Sequence, residues 1–329
     1  MAKLWHPLKR YKEMVYIAVL LLFIMSISAA NALYKRTNAY KNRFVDIYKF
    51  KSVEQLPDAS LDLVAIGSNS PKFAFDFRDI NQLKCSNWCI GPETFQYDCI
   101  ILRKFSDKLK KGATIVLTVC PLNFFHHRYH PHSDLYKYYA LLDKEEMPDF
   151  DYMEYLRYYK YPVVFNPLKI VRIFYDAKEF DRMKLNTNLY DRKGLKANAA
   201  GWIKNVWNPA YQIDIESMKP LSEINKKDIE GSQYWLRQMA GFCKNRGLKL
   251  LLVYPPLTAE LKTKFSEEFI EQHIKRYVEE ALGGIGFKTV DYMHDARFYD
   301  MNYYIDAFFM NRIGAKLFTE TFLKENILN

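Results

Sequence analysis

One short stretch restricts the fold of this chain more than any other. Leu61, Leu63, Val64, Ala65 and Ile66 form an apolar run that stops at Gly67-Ser68-Asn69-Ser70, with Pro71 behind it. A run this short, apolar on both parities, is the pattern of a strand buried on both faces, as in parallel sheets. The turn that follows such a strand lies at the carboxyl edge of the sheet, where open α/β folds bind their ligands. Ser68, Asn69 and Ser70 are therefore the first candidates for a site, against the plainer reading of a polar turn between strand and helix.

Similar apolar runs recur at residues 113–119, 249–254 and 287–291, the first two halted by Cys120-Pro121 and Pro255-Pro256. Between them, residues 92–111, 232–246, 265–282 and 311–326 carry apolar residues at helical spacing, with glycine after three of the four. Strands alternating with helices predict an α/β three-layer sandwich around a central parallel sheet, with helices on both faces. The loops after the strands, 67–71, 120–123, 254–257 and 291–311, then converge on one edge. No Gly-rich phosphate cradle follows the first strand, so nucleotide cofactors lose their main support. Residues from about 126 to 230 differ in kind, aromatic and basic and broken by prolines, and read as an insertion of helices and loops beside the core, with 201–229 as loop.

Residues 14–34 contain no charged side chain. As a helix they would cross the roughly 30 Å hydrocarbon core of a bilayer. Lys3, Lys9, Arg10 and Lys12 outweigh Lys35 and Arg36 on the other flank, which orients residues 1–13 to the cytoplasm. Residues 35–54 then form a stalk and residues 55–329 an extracytoplasmic domain of a single-pass protein of the cell membrane. A cleaved signal peptide is the rival, since Ala30-Asn31-Ala32 fits the small-residue cleavage pattern. The net charge of +10 suits an anionic envelope polymer or lipid headgroups, and an exported domain would rarely meet nucleic acid. Of five cysteines, Cys85 and Cys89 are spaced to pair in an oxidising compartment, whereas Cys99 and Cys120 sit in apolar segments as buried thiols.

The run Gly67-Ser68-Asn69-Ser70 with Phe75-Asp76, taken with Asp306-Ala307-Phe308-Phe309-Met310-Asn311-Arg312-Ile313-Gly314-Ala315, resembles the SGNH (GDSL) hydrolase superfamily. The closest branch is that of membrane-anchored extracytoplasmic proteins similar to the teichoic-acid D-alanyl transfer protein and to partners of membrane-bound O-acyltransferases. In that branch the two motifs read Gly-Ser-Ser-His and Asp-x-x-His-Leu-Asn-x-x-Gly-Ala. The resemblance implies a flavodoxin-like sheet and a Ser-His-Asp site, in which a carboxylate orients the imidazole that activates a hydroxyl. It implies no cofactor, and as partner a membrane-bound O-acyltransferase.

Transferred residue by residue, the nucleophile position falls on Asn69, the His position on Phe309 and the Asp on Asp306. Gly91 and Asn123 fall near the positions of the oxyanion-hole groups. Neither a carboxamide nor a phenyl ring can perform the chemistry of the residue it replaces. The resemblance therefore implies a pseudoenzyme with a binding or accessory role in envelope polysaccharide or teichoic-acid acylation. The alternative is an active O-acyltransferase or esterase in which Ser68 or Ser70 is the nucleophile and His294 or a member of the His126, His127, His130, His132 group is the base. That histidine group reads otherwise as a solvated loop, with Asp134 as its one adjacent acidic residue and no thiol neighbour to complete a metal site. Asp291, Asp295 and Asp300 read as turn formers and caps, and Asp306 as a cap of the last helix or an acceptor for backbone amides at the turn.

Overall fold

The computed structural model describes residues 5–126, 132–175, 185–217 and 220–328. They form two compact units, one of Met1–Tyr48 with His132–Phe180 and one of Lys49–Pro131 with Asp181–Asn329.

The second unit is built on five parallel strands: β1 (Leu61–Ile66), β2 (Cys85–Asn87), β3 (Leu109–Thr118), β4 (Lys249–Tyr254) and β5 (Lys288–Asp291). Their order across the sheet is β2-β1-β3-β4-β5, all parallel. The middle strands are the apolar runs of the sequence, and Leu63, Val64, Ala65, Ile115, Val116, Leu117, Leu252 and Val253 are fully buried. Such strands need cover on both faces, and five helices of this unit matter for the site: α2 (Asn69–Ala74), α3 (Phe95–Lys104), α4 (Arg192–Gly201), α5 (Glu223–Asn245) and α7 (Arg312–Asn326). Phe318 and Phe322 of α7 pack on Leu63, Ala65, Val116, Leu251 and Val253. Each such ring contributes about 1.5–3 kcal/mol on burial. Helix α5 packs against α3, β4 and α6 (Arg276–Leu282).

Three expectations change. Strand β2 was not anticipated: it is three residues long, half-buried, and has no apolar run to announce it. Gly112, expected to stop a helix over 92–111, lies inside β3, because the helix ends at Lys104 and the chain returns to the sheet at Leu109. The pairing Leu61↔Leu109 gives way to Leu63↔Thr114, so β3 carries extra residues there, and Gly112 takes them through a φ of +78°. Helix α4 lies within the insertion, and residues 202–211, read as loop, continue it as helix to Tyr211.

The first unit contains α1 (Trp5–Tyr34), of which Tyr11–Tyr34 is long and apolar enough to cross a membrane. After Thr37, whose hydroxyl accepts the Tyr40 N–H at 3.2 Å, short helical turns carry the chain to Tyr48. Tyr34, Tyr40 and Phe44 form a ring column, and Tyr136 and Tyr159 close edge-on over Phe44 at 5.7 and 5.8 Å. Asn31, in the last turn of α1, donates to the Lys160 carbonyl at 2.9 Å and accepts the Val163 N–H at 3.3 Å.

Candidate functional site

Gly67 ends β1 with a φ of +129°, and a Cβ there would press on Pro71 Cγ at 3.0 Å. Only glycine lets the chain turn this sharply while Pro71 occupies the first turn of α2, where its missing N–H costs nothing. Asn69 becomes the first residue of α2, and Ser68 precedes it. The Ser68 hydroxyl accepts the Glu93 N–H at 3.0 Å instead of capping α2, which ties the turn to the loop after β2. Opposite lies Gly91, and the Asn69 carboxamide fills the space a Gly91 side chain would need.

The turn opens on a cavity of about 200 Å³ at the carboxyl edge of the sheet, between the loops after β1 and β3. Ser68, Asn69 and Ser70 line it on one side and Cys120, Asn123 and His126 on another. Asn123 accepts the Cys120 N–H through Oδ1, which fixes its carboxamide in the cavity wall. Asn69 makes no side-chain hydrogen bond to the described residues. Two carboxamide side chains thus line the cavity. Ser70 is buried and hydrogen-bonds the Cys120 thiol; burial pushes that thiol up to about 12 and the bond to Ser70 works the other way. Ser70 is thereby engaged inside the wall.

The far wall is aromatic. Phe309 is buried at 6% exposure and packs on Phe73 at 4.7 Å, one helical turn beyond Asn69 on α2. Trp202 meets Phe309 edge-on at 5.7 Å, and Trp207 meets Phe308 edge-on at 5.0 Å. His126 faces Tyr211 across 5.8 Å, and both line the cavity. Among the described residues no Asp, Glu, Lys or Arg lines it. The cleft therefore combines stacking surface with neutral amides and hydroxyls, a composition suited to an uncharged polar group with an apolar face.

Asp306 is buried and its Oδ1 accepts the N–H groups of Phe308 and Phe309, each at 2.9 Å. Of its two expected roles this is the backbone one; capping the last helix falls to Asn311, which accepts from Ile313 and Gly314 at 2.9 and 3.0 Å. Asp306 thus holds the loop that presents Phe309. Asp291, Asp295 and Asp300 each accept a backbone N–H two residues on, as turn formers do. His294 is exposed and does not line the cleft, and His127 and His130 lie outside the described residues. All five cysteines, Cys85 and Cys89 included, are free thiols. No cluster of metal-ligating side chains occurs among the described residues.

The structure thus brings Asn69, Phe309, Ser68, Ser70 and Asn123 to one cleft, with Gly91 behind Asn69 and Asp306 behind Phe309. Sequence reasoning missed the wall of Trp202, Trp207 and Phe308. The signal was present as Trp202, Val206 and Trp207, an apolar set at i, i+4 and i+5, inside a stretch read as loop. Comparison of the chain with family models gives no match, and comparison with curated proteins gives none.

Proposed function

We propose that this is a membrane-anchored, extracytoplasmic SGNH-like protein, a three-layer flavodoxin-like sandwich, whose cleft has given up hydrolysis for binding. In this reading it has an accessory role in the acylation of a cell-envelope polysaccharide or teichoic acid, beside a membrane-bound O-acyltransferase. The observation that carries it is that Asn69 and Phe309, the positions the motifs assign to nucleophile and base, line the same cleft. Losing both partners of one catalytic unit costs little more than losing one, so paired replacement is the expected trace of a site released from catalysis. Retention of α1 is supported by Asn31, because cleavage around residues 30–32 would remove the side chain that binds residues 160 and 163. The amino-terminal lysines favour a cytoplasmic tail.

One observation favours an enzyme instead: His126 lines the cleft together with Ser68 and Ser70, so a hydroxyl and an imidazole share it. The purified protein incubated with p-nitrophenyl acetate and a fluorophosphonate probe separates the two readings. Binding without chemistry gives neither turnover nor labelling. Labelling that disappears in Ser68→Ala or Ser70→Ala would establish the active O-acyltransferase or esterase. Purification in mild detergent tests the partner, and consistent recovery of a lone chain would count against it.

A further inference from the structure

Residues 161–175 form a ribbon of three short helical turns, Pro162–Phe165, Pro167–Ile170 and Val171–Phe174, with a proline opening each of the first two. One side of this ribbon is the cover of α1. Val163 is buried against Tyr34, Tyr40 and Phe44, with Ala30, Ile170 and Ile173 packed around them. The other side is apolar and uncovered: Val164, Phe165, Leu168, Val171, Phe174 and Tyr175 are all exposed, Leu168 at 79% and Phe174 at 76%. A contiguous apolar face of this kind on a water-soluble surface is unfavourable and marks a binding surface.

Where the ribbon sits decides what covers it. Asn31 binds the backbone of Lys160 and Val163, and Lys169 lies over the Tyr34 ring at 5.9 Å. The ribbon is therefore fixed beside the last turns of the apolar segment Tyr11–Tyr34. These 24 residues make a helix of about 36 Å, a little longer than the roughly 30 Å hydrocarbon core, so its last turn reaches the headgroup boundary. Residues 158–175 contain Lys160, Lys169 and Arg172 and no acidic side chain, while Arg157 just before them is paired with Glu154 at 2.9 Å. Tyr161, Phe165, Phe174 and Tyr175 supply the aromatic residues that favour this depth.

We propose that residues 161–175 are a second membrane contact, a strap that inserts its outer face into the leaflet where α1 emerges and takes anionic phospholipid headgroups on its basic side chains. Such amphipathic segments bury their apolar face about 5–10 Å into the boundary between headgroups and acyl chains. The strap restrains its unit at the bilayer surface through a second attachment besides α1. This inference rests on α1 being a retained membrane anchor.

The test uses the full chain in phosphatidylcholine and phosphatidylglycerol vesicles. An environment-sensitive fluorophore is attached at Leu168→Cys or Phe174→Cys, at Leu22→Cys within α1, and at Glu145→Cys on an exposed polar turn. Unsubstituted protein taken through the same labelling serves as the blank. Lipids with a quencher near the headgroup should extinguish the probes at 168 and 174 more strongly than lipids with a quencher deep in the chain. The probe at 22 should be quenched by the deep lipid and that at 145 by neither. Probes at 168 and 174 that stay bright while that at 22 is quenched would overturn the strap and leave the anchor intact, as when this face belongs to a protein partner. A bright probe at 22 would overturn both. Quenching at 168 and 174 that is lost when phosphatidylglycerol is omitted identifies anionic headgroups as the ligand; quenching unchanged without it overturns that part.

Discussion

The Asn69 carboxamide rests on the Cα of Gly91, in the volume that a Cβ would occupy. Two loops from neighbouring strands approach this closely only because one contributes no side chain, so residue 91 sets where the residue at the head of α2 can point.

Gly91→Ala should therefore push the Asn69 side chain out of its position at a cost of about 1–3 kcal/mol, the usual range for forcing extra carbon into a packed site. Asn69→Ala removes the obstacle, and Gly91→Ala should cost measurably less in that background. Urea unfolding of the two single variants and the double variant reads this coupling. Additive losses would mean the two residues do not contend for the same space.

Asn69→Ser combined with Phe309→His should restore weak hydrolysis of p-nitrophenyl acetate, while each change alone stays inert. A hydroxyl without a base, or a base without a hydroxyl, lacks the unit that does the chemistry. Phe309 is buried, and burial of an imidazole in its place favours the neutral form that a general base needs. A folded but inactive double variant would show that one of the two positions does not correspond to its motif partner.

That Asn69 and Phe309 would meet at one cleft was legible from the sequence because both motifs border strong signals, β1 on one side and a capped helix on the other. Strands β1, β3 and β4 declared themselves because their central residues are buried on both faces and are therefore mostly apolar. Cys85–Asn87 did not, since an edge strand three residues long is held by the backbone ladder to Leu63, Val64 and Ala65 and its side chains stay half-buried. Gly112 was misread because its turn serves a register shift against Leu61 and Leu63, and local periodicity carries no record of a neighbouring strand. The same holds for Asn31: its bonds span about 130 residues of chain, and nothing near Asn31 announces Lys160 or Val163.

Asp306→Asn and Asp306→Ala should differ. An acceptor oxygen for the Phe308 and Phe309 N–H groups survives in the asparagine variant and vanishes in the alanine one. Leaving a buried donor unmatched costs about 1–3 kcal/mol. The alanine variant should thus unfold at clearly lower urea concentration than the asparagine variant, with the aromatic wall at Phe309 loosened. Equal losses in both would mean that the negative charge matters more than the backbone bonds.

Arg297 bridges the loop after β5 to the end of α7, donating through Nε to Asp295 at 3.0 Å and through Nη1 to Glu325. Its hydrogen bonds are the main cause holding both carboxyls below their usual range, with Tyr292 adding to the effect on Glu325. A carboxylate with a depressed folded pKa stabilises the fold above its unfolded pKa and loses that contribution as the pH falls through the folded one. The window therefore opens near pH 4, at the unperturbed values of about 3.9 and 4.3, and extends downward. Arg297→Gln should lower stability at neutral pH by about 1 kcal/mol or less, since these exposed groups are screened by solvent. The gap from the parent protein should narrow as the pH falls towards 3 and should also narrow in high salt. Urea midpoints measured across that range decide the matter, and a gap that stays constant with pH would assign the loss to packing of the Arg297 stem instead of its charge.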